Sequence, residues 1–162
     1  MSTPRNFPWP SDDPSNMRAG MQGQNFAVVM ENSGPLSKVR IRMTPRKVSN
    51  VHAHELADVY VDVLQADGPG ALTLAGFHLE HEIWTPAGTT LHLPPGMPHV
   101  AVYPEQITGT TGDLVAMETR CNPVADADII ALAGYGELLV KRLTQLDLMH
   151  RVDPSPEMLE AM

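Results

Sequence analysis

Short runs of alternating apolar and polar residues fill the chain between residues 25 and 122. In the clearest run, over 37–43, Val39, Ile41 and Met43 share one face and basic side chains occupy the other. Further strand-like segments, separated by turns rich in glycine and proline, are predicted at 25–31, 59–64, 71–75, 78–85, 89–93, 99–103 and 113–119. Short strands joined by such turns predict an all-β protein, with an antiparallel barrel or sandwich.

The two ends of the chain have a different character. Residues 1–24 are rich in proline, serine, aspartate, asparagine and glycine, which predicts an extended N-terminal arm before a barrel over 25–122. Residues 123–162 are predicted to form a C-terminal helical segment packed on the barrel. Apolar residues recur there from Ala127 to Met149, and two glycines divide the segment into two helical pieces. Such a segment covers an open end of the barrel or a subunit contact, and the sequence leaves both possibilities open.

Composition narrows the class of protein. A chain of 162 residues, of which 43% are hydrophobic, suffices for one globular domain with a sizeable core. No apolar run is long enough to cross a bilayer, no signal-peptide core is present, and a single cysteine excludes an internal disulfide. We therefore expect a cytoplasmic protein with no membrane partner. The net charge of -8 argues against nucleic acid binding, and we interpret the short basic patch around Arg40 and Arg42 as a solvated strand face rather than an anion clamp.

Three histidines and a carboxylate lie in two of the strand-like segments. His52 and His54 have the same strand parity and therefore point the same way, and Asp58 shares that parity if the turn between them is tight. His99 must arrive from a distant part of the chain to complete a site. A lone histidine is more often a packed or surface residue, but imidazole nitrogens with one carboxylate oxygen at this spacing suit a divalent transition metal.

These segments resemble the paired signature motifs of the cupin superfamily. The first motif is His-x-His followed, after three or four residues, by an acid; here it reads His52-x-His54-x3-Asp58, with aspartate in place of the usual glutamate. The second is Gly-x5-Pro-x-Gly-x2-His-x3-Asn; here it reads Gly88-x5-Pro94-x-Gly96-x2-His99-x3-Tyr103, with tyrosine in place of the final asparagine.

The resemblance covers roughly residues 36–122 and implies a double-stranded β-helix, which is the jelly-roll barrel of the cupins. It implies that His52, His54, Asp58 and His99 bind a divalent transition metal. Fe(II) is favoured, and Zn, Mn or Ni are alternatives. It also implies a homodimer and a small-molecule substrate.

Strand parity extends the expected site beyond these ligands. If the strand that follows Asp58 has no bulge, Tyr60 and Asp62 line the same cavity. A carboxylate inside a barrel is a candidate general acid or base, so Asp62 is predicted to be catalytic. The alternative is a β-bulge that turns Asp62 outward.

The segment around the last histidine offers further candidates. Tyr103 shares a strand face with His99, so it is predicted to be a catalytic proton donor above the metal; the alternative is an aromatic that fills the barrel mouth. Trp84 and Met97 are expected to shape the pocket, although a core role is as reasonable. The remaining histidines are interpreted as ordinary barrel or surface residues, namely His78, His81 and His92.

Three classes of function fit such a site. The first is a non-haem iron dioxygenase acting on a small organic metabolite, which ranks first because cupins with three histidines and a carboxylate often catalyse this reaction. The second is a redox-neutral cyclase, isomerase, dehydratase or lyase, as in polyketide or other secondary metabolism, in which zinc acts as a Lewis acid and Asp62 or Tyr103 moves the proton. A metabolite-binding cupin without turnover ranks last.

Overall fold

The computed structural model describes residues 18–19, 25–33, 36–121 and 129–162. The strands in these ranges are β1 (Arg18–Ala19), β2 (Asn25–Ser33), β3 (Leu36–Met43), β4 (His52–His54), β5 (Asp58–Gln65), β6 (Ala71–Ala75), β7 (His81–Thr85), β8 (Thr90–Leu93), β9 (His99–Val102), β10 (Leu114–Cys121) and β11 (Ile129–Ala131). The helices are α1 (Gly136–Gln145) and α2 (Pro156–Glu160), with a 3-10 turn at Met149–Arg151 between them. The predicted arm over 1–24 lies outside the described residues except for β1, which pairs with β2.

The strands form two antiparallel sheets that face each other. One has the order β1-β2-β3-β10-β5-β8 and the other the order β11-β4-β9-β6-β7. Every strand predicted between residues 25 and 119 is present, with ends that differ by a few residues. The prediction of an all-β jelly-roll barrel with a C-terminal helical region is therefore confirmed.

The alternation in β3 places its apolar side chains inside the barrel, as predicted. Val39, Ile41 and Met43 are buried in one core cluster, while Arg40 and Arg42 occupy the opposite face and are only half-buried. Burying one such aliphatic side chain stabilises the fold by about 1.5–3 kcal/mol. The alternation of this strand therefore sets which face lines the interior.

The C-terminal helices pack against the outer face of the five-stranded sheet. Leu139 and Leu143 of α1 and Met158 of α2 are fully buried there against Leu72 and Leu74 of β6. The neighbours of these two leucines along β6 line the barrel interior instead, since successive strand residues face opposite sides. The helical region thus covers a sheet face and not an open end of the barrel. No helix among the described residues is both long and apolar enough to span a membrane.

The beginning of the predicted helical segment is a strand. Residues 129–131 form β11, which pairs with β4 so that Ile129 lies opposite His54 and Ala131 opposite His52. The helix prediction was wrong here because β4 offers a free edge whose backbone groups need partners, and β-branched isoleucines suit that position. The C-terminal segment therefore adds an edge strand to the sheet that carries the histidines.

Candidate metal centre

Three buried histidines meet where β4 lies beside β9. His52 is the direct cross-strand partner of His99, and His54 lies two residues further along β4 on the same face. The ring centroids of His52 and His99 are 4.2 Å apart, and those of His54 lie 5.5 Å from both. One ring nitrogen from each histidine lies within 4.8 Å of the other two. The structure thus brings together three of the four predicted ligands.

Backbone carbonyls orient two of the three rings. His52 Nδ1 lies 2.8 Å from the carbonyl oxygen of Asn50, and His99 Nδ1 lies 3.0 Å from that of Met97. Because a carbonyl can only accept, each Nδ1 carries the proton and donates it, which leaves Nε2 with its lone pair. This is the tautomer that an Nε2 metal ligand requires.

Burial keeps the imidazoles of His52 and His99 neutral. Loss of hydration is the main reason that the pKa of His99 falls to about 4, against an ordinary value of 6.5; the hydrogen bond to the Met97 carbonyl opposes this fall, and the nearby His54 adds to it. Loss of hydration is also the main reason that the pKa of His52 lies well below its ordinary value, and the proximity of His99 is the second reason. Only a neutral imidazole binds a metal. Two neutral imidazoles that converge with a third buried histidine, His54, therefore fit a divalent transition-metal ion.

The turn before β9 explains one glycine of the second motif. Gly96 has a φ of +76°, a left-handed conformation that favours glycine. Its N–H donates to the carbonyl oxygen of His54 at 2.7 Å, which ties the turn to β4. His99 follows three residues later, so this glycine helps to place it beside His52.

A buried carboxylate that the sequence analysis missed faces the same space. Glu118 lies on β10 in the opposite sheet, and its Oε1 is 3.8 Å from His54 Nε2. Its Oε2 accepts hydrogen bonds from Arg120 Nε at 2.9 Å and from Nη2 at 2.7 Å. The signal in the sequence was two opposite charges with the same strand parity in an otherwise largely apolar strand.

His52 and His99 line a cavity with mainly apolar walls. Its empty volume is about 580 Å³, open mouth included. The apolar walls come from both sheets and comprise Ile41, Met43, Val61, Val63, Ala71, Leu91, Leu93, Ala101, Leu114 and Ala116. The polar groups in the lining are His52, His99, Glu118 and two threonines, Thr73 and Thr85. The lining therefore has few polar groups, and two of them are candidate metal ligands.

Comparisons with solved structures agree with this architecture. A protein with a double-stranded β-helix domain from Klebsiella pneumoniae is 15% identical, and the match covers 81% of this chain and 96% of that one with a TM-score of 0.57. KdgF from a Halomonas species is also 15% identical, with 74% and 99% covered and a TM-score of 0.54. The chain has the cupin fold. Pac13 of Streptomyces, a nucleoside dehydratase, is 10% identical, with 74% and 87% covered and a TM-score of 0.53. No protein-family model matches the sequence, and no curated protein does.

Asp58, the acid of the first cupin motif, is not among the grouped residues. Its Oδ1 lies 2.8 Å from His92 Nε2 on the outer face of the six-stranded sheet, where Tyr60 stacks on His92 with centroids 4.7 Å apart. The inward position is Val59, which is fully buried and matches the four-residue spacing that the motif also allows. The bend at 55–56 interrupts the strand, so the parity of the histidines does not continue into β5. The expectation that Asp58 and Tyr60 face the cavity was therefore wrong.

Three other predicted site residues also lie outside the cavity lining. Asp62 is on the outer face of β5 and accepts a hydrogen bond from the Thr90 hydroxyl at 2.5 Å. Trp84 packs on the helix-covered side of the five-stranded sheet. Met97 serves the site through its carbonyl, which accepts the bond from His99. Asp62 points outward without a β-bulge, because the side chains of β5 that were predicted to face the cavity all lie on its outer face.

Tyr103 is fully buried, and its hydroxyl joins two loops. It donates to the Gly112 carbonyl oxygen at 2.7 Å and accepts from the Asp67 N–H at 3.1 Å. Loss of hydration raises the pKa of Tyr103, so the hydroxyl keeps its proton. The arrangement favours the alternative reading of Tyr103 as a packing residue over that of a proton donor at the metal.

Proposed function

We propose that this chain is a metal-dependent enzyme that acts on a small organic molecule with a large apolar part. The observation that carries the proposal is the convergence of three buried histidine nitrogens beside a cavity with mainly apolar walls, which His52 and His99 line. Three nitrogen ligands leave positions on a divalent ion for water, oxygen or substrate. Small-molecule sites are concave and mainly apolar, with a few convergent polar groups, and this cavity has the same character.

The metal would be held by His52, His54 and His99. When bound, it supplies oxygen activation if it is Fe(II), or polarisation of a substrate carbonyl if it is Zn, Mn or Ni. The residues of the chain orient the substrate and exclude water from it. The apolar walls do both, because a substrate that buries its apolar part there displaces water from the reacting end.

The lining argues against a strongly polar substrate. Uridine is bound to Pac13 variants of the same fold, and its ribose and base carry many hydrogen-bonding groups. Each such group left unpaired in a cavity costs about 1–3 kcal/mol. Here the polar lining beyond the histidines and Glu118 is Thr73 and Thr85, and the Thr85 hydroxyl already donates to the Ala71 carbonyl oxygen. We therefore infer a substrate with one polar, metal-binding end.

We place a dioxygenase-type oxidation first among the possible reactions. Among the described residues of the lining, the titratable groups are His52, His99 and Glu118. The two side chains that the sequence analysis offered for proton transfer, Asp62 and Tyr103, form bonds elsewhere. An oxidation that adds both atoms of O2 to an apolar substrate makes the smaller demand on acid–base groups.

A redox-neutral lyase or dehydratase is the second candidate. It is supported by the likeness in fold to Pac13, which carries out a dehydration. In that case Glu118, as a buried carboxylate beside the histidines, would have to move the proton. A binding protein without turnover ranks below both.

Metal analysis and oxygen uptake test the proposal in that order. Protein purified without added metal should contain a transition metal, and His99→Ala should lower its content at least tenfold because one of three nitrogen ligands is lost. His92→Ala is the matched control, since His92 lies on the outer face and should leave the content unchanged. Equal metal content in wild type and His99→Ala would contradict the proposed centre.

Oxygen uptake then separates the two reaction classes. Catechols, diones and thiols with apolar substituents are the first substrates to test. Metal-dependent oxygen consumption supports the dioxygenase, whereas product formation without oxygen supports the redox-neutral enzyme. The homodimer and the cytoplasmic location stay predictions, and sedimentation of the purified protein tests the first.

A further inference from the structure

We propose that Glu118 supplies the carboxylate of the metal centre, in the role that the cupin motif assigns to Asp58. The inference rests on the proposed function, because it requires that the three histidines bind a metal. It assigns the acid to β10, a strand outside both sequence motifs and in the sheet opposite the histidines.

The strand that carries the motif acid cannot provide one in this chain. Asp58 is engaged with His92 on the far side of the sheet, and the inward residue next to it is Val59. Without a substitute, the centre would consist of three neutral nitrogens around a doubly charged ion. A carboxylate that enters the same space from another strand would restore an anionic ligand.

Glu118 is placed to do this. Its Oε1 is 3.8 Å from His54 Nε2, and two atoms that bind one ion at about 2.1 Å each lie no more than roughly 4.2 Å apart. One nitrogen from each histidine lies within 4.8 Å of the other two, and no oxygen of Glu118 belongs to this group. Metal binding should therefore draw Oε1 further toward the other two histidines by rotation about the side-chain bonds.

Arg120 acts as a positioning residue for this carboxylate. Both of its hydrogen bonds go to Oε2, so Oε1 remains on the side of His54. A buried ion pair gives little net stability compared with apolar residues of similar volume. Stability alone therefore does not account for a Glu118–Arg120 pair beside three convergent imidazoles.

Cobalt binding tests the inference without knowledge of the substrate. Metal-free protein is titrated with Co(II), whose visible absorption depends on the number and type of its ligands. We expect Glu118→Gln to bind Co(II) at least tenfold more weakly than wild type and with a changed spectrum, because a neutral amide replaces an anionic donor. Asp58→Asn makes the same chemical change on the outer face and should keep the affinity within twofold and the spectrum unchanged.

The outcomes separate this inference from the proposed function. Wild-type Co(II) affinity and spectrum in Glu118→Gln would overturn the role of Glu118 and leave the metal centre standing. Weakened binding in Asp58→Asn alone would return the role to the motif acid. If wild type and His99→Ala both fail to bind Co(II), the centre itself is wrong and the inference falls with it. Denaturant unfolding of the metal-free variants controls for folding. If Glu118→Gln is insoluble, Glu118→Asp replaces it. This variant keeps the charge but shortens the reach, and it should bind Co(II) more weakly than wild type.

Discussion

Replacing Tyr103 with phenylalanine separates a structural role of this side chain from a catalytic one. The substitution removes the hydroxyl and keeps the ring, so the packing of a fully buried side chain is retained. Two hydrogen bonds are lost, to the Gly112 carbonyl oxygen and from the Asp67 N–H. At about 1 kcal/mol for each bond the loss would be about 2 kcal/mol, and access of water to these partly buried loops lowers it to about 1–2 kcal/mol.

Equilibrium unfolding in urea measures this loss. For a chain of this length, 1–2 kcal/mol corresponds to a fall in Tm of roughly 2–8 °C. Tyr60→Phe is the control, since Tyr60 is partly exposed on the outer face, and we expect a change below about 0.5 kcal/mol. Metal content should be the same in both variants. A Tyr103→Phe protein with wild-type stability but without metal-dependent turnover would refute the structural reading and restore the catalytic one.

Three further outcomes are expected. Because the folded pKa of His99 is about 4 and the unfolded value about 6.5, the unfolded chain takes up the proton first as the pH falls. His99 alone should therefore lower the stability of the metal-free protein by about 2 kcal/mol between pH 7.5 and pH 5, measured by urea unfolding, and His52, whose pKa is also lowered, should add to this loss. A pH-independent midpoint would contradict buried neutral imidazoles. Gly70→Ala should lower the free energy of unfolding by at least about 2 kcal/mol, because Gly70 has a φ of +80° and an added Cβ would overlap the Thr85 carbonyl oxygen. Gly88 has a φ of +89° but open space around it, so Gly88→Ala should cost about 1 kcal/mol. Equal losses in the two variants would show that the overlap at Gly70 relaxes. Asp62→Asn should leave metal content unchanged and stability within about 0.5 kcal/mol, because its bond to Thr90 is solvent-exposed, and loss of turnover in that variant would return Asp62 to the site.

The fold could be predicted largely because strand alternation is a local signal. In β3 the apolar positions Val39, Ile41 and Met43 identify the inner face directly. The same rule, applied to Val59, Val61 and Val63, gives the correct inner face of β5. The motif assignment of Asp58 overrode that signal. Asp58 was wrongly placed in the cavity because the alternation of His52 and His54 was continued across a turn. The valines of β5 already indicated the correct inner face.

The candidate site could be predicted only in part. The His-x-His pair is a property of one short strand, and the second motif contains the glycine turn that leads to His99. The nearness of Glu118 depends on how β10 of one sheet faces β4 of the other, which no local spacing encodes. The strand at Ile129 likewise depends on a free sheet edge, although its apolar pattern also suits a helix.

The sequence by itself determined which residues alternate, where the turns fall and which two segments carry the histidines. The tertiary structure decided that Asp58 points away from them, that Glu118 arrives from the facing sheet, and that the helices cover a sheet face. The physical reason is the range of each interaction. Alternation is fixed within one unbroken strand, whereas a turn resets it, and contacts between sheets follow from the packing of side chains that are far apart along the chain.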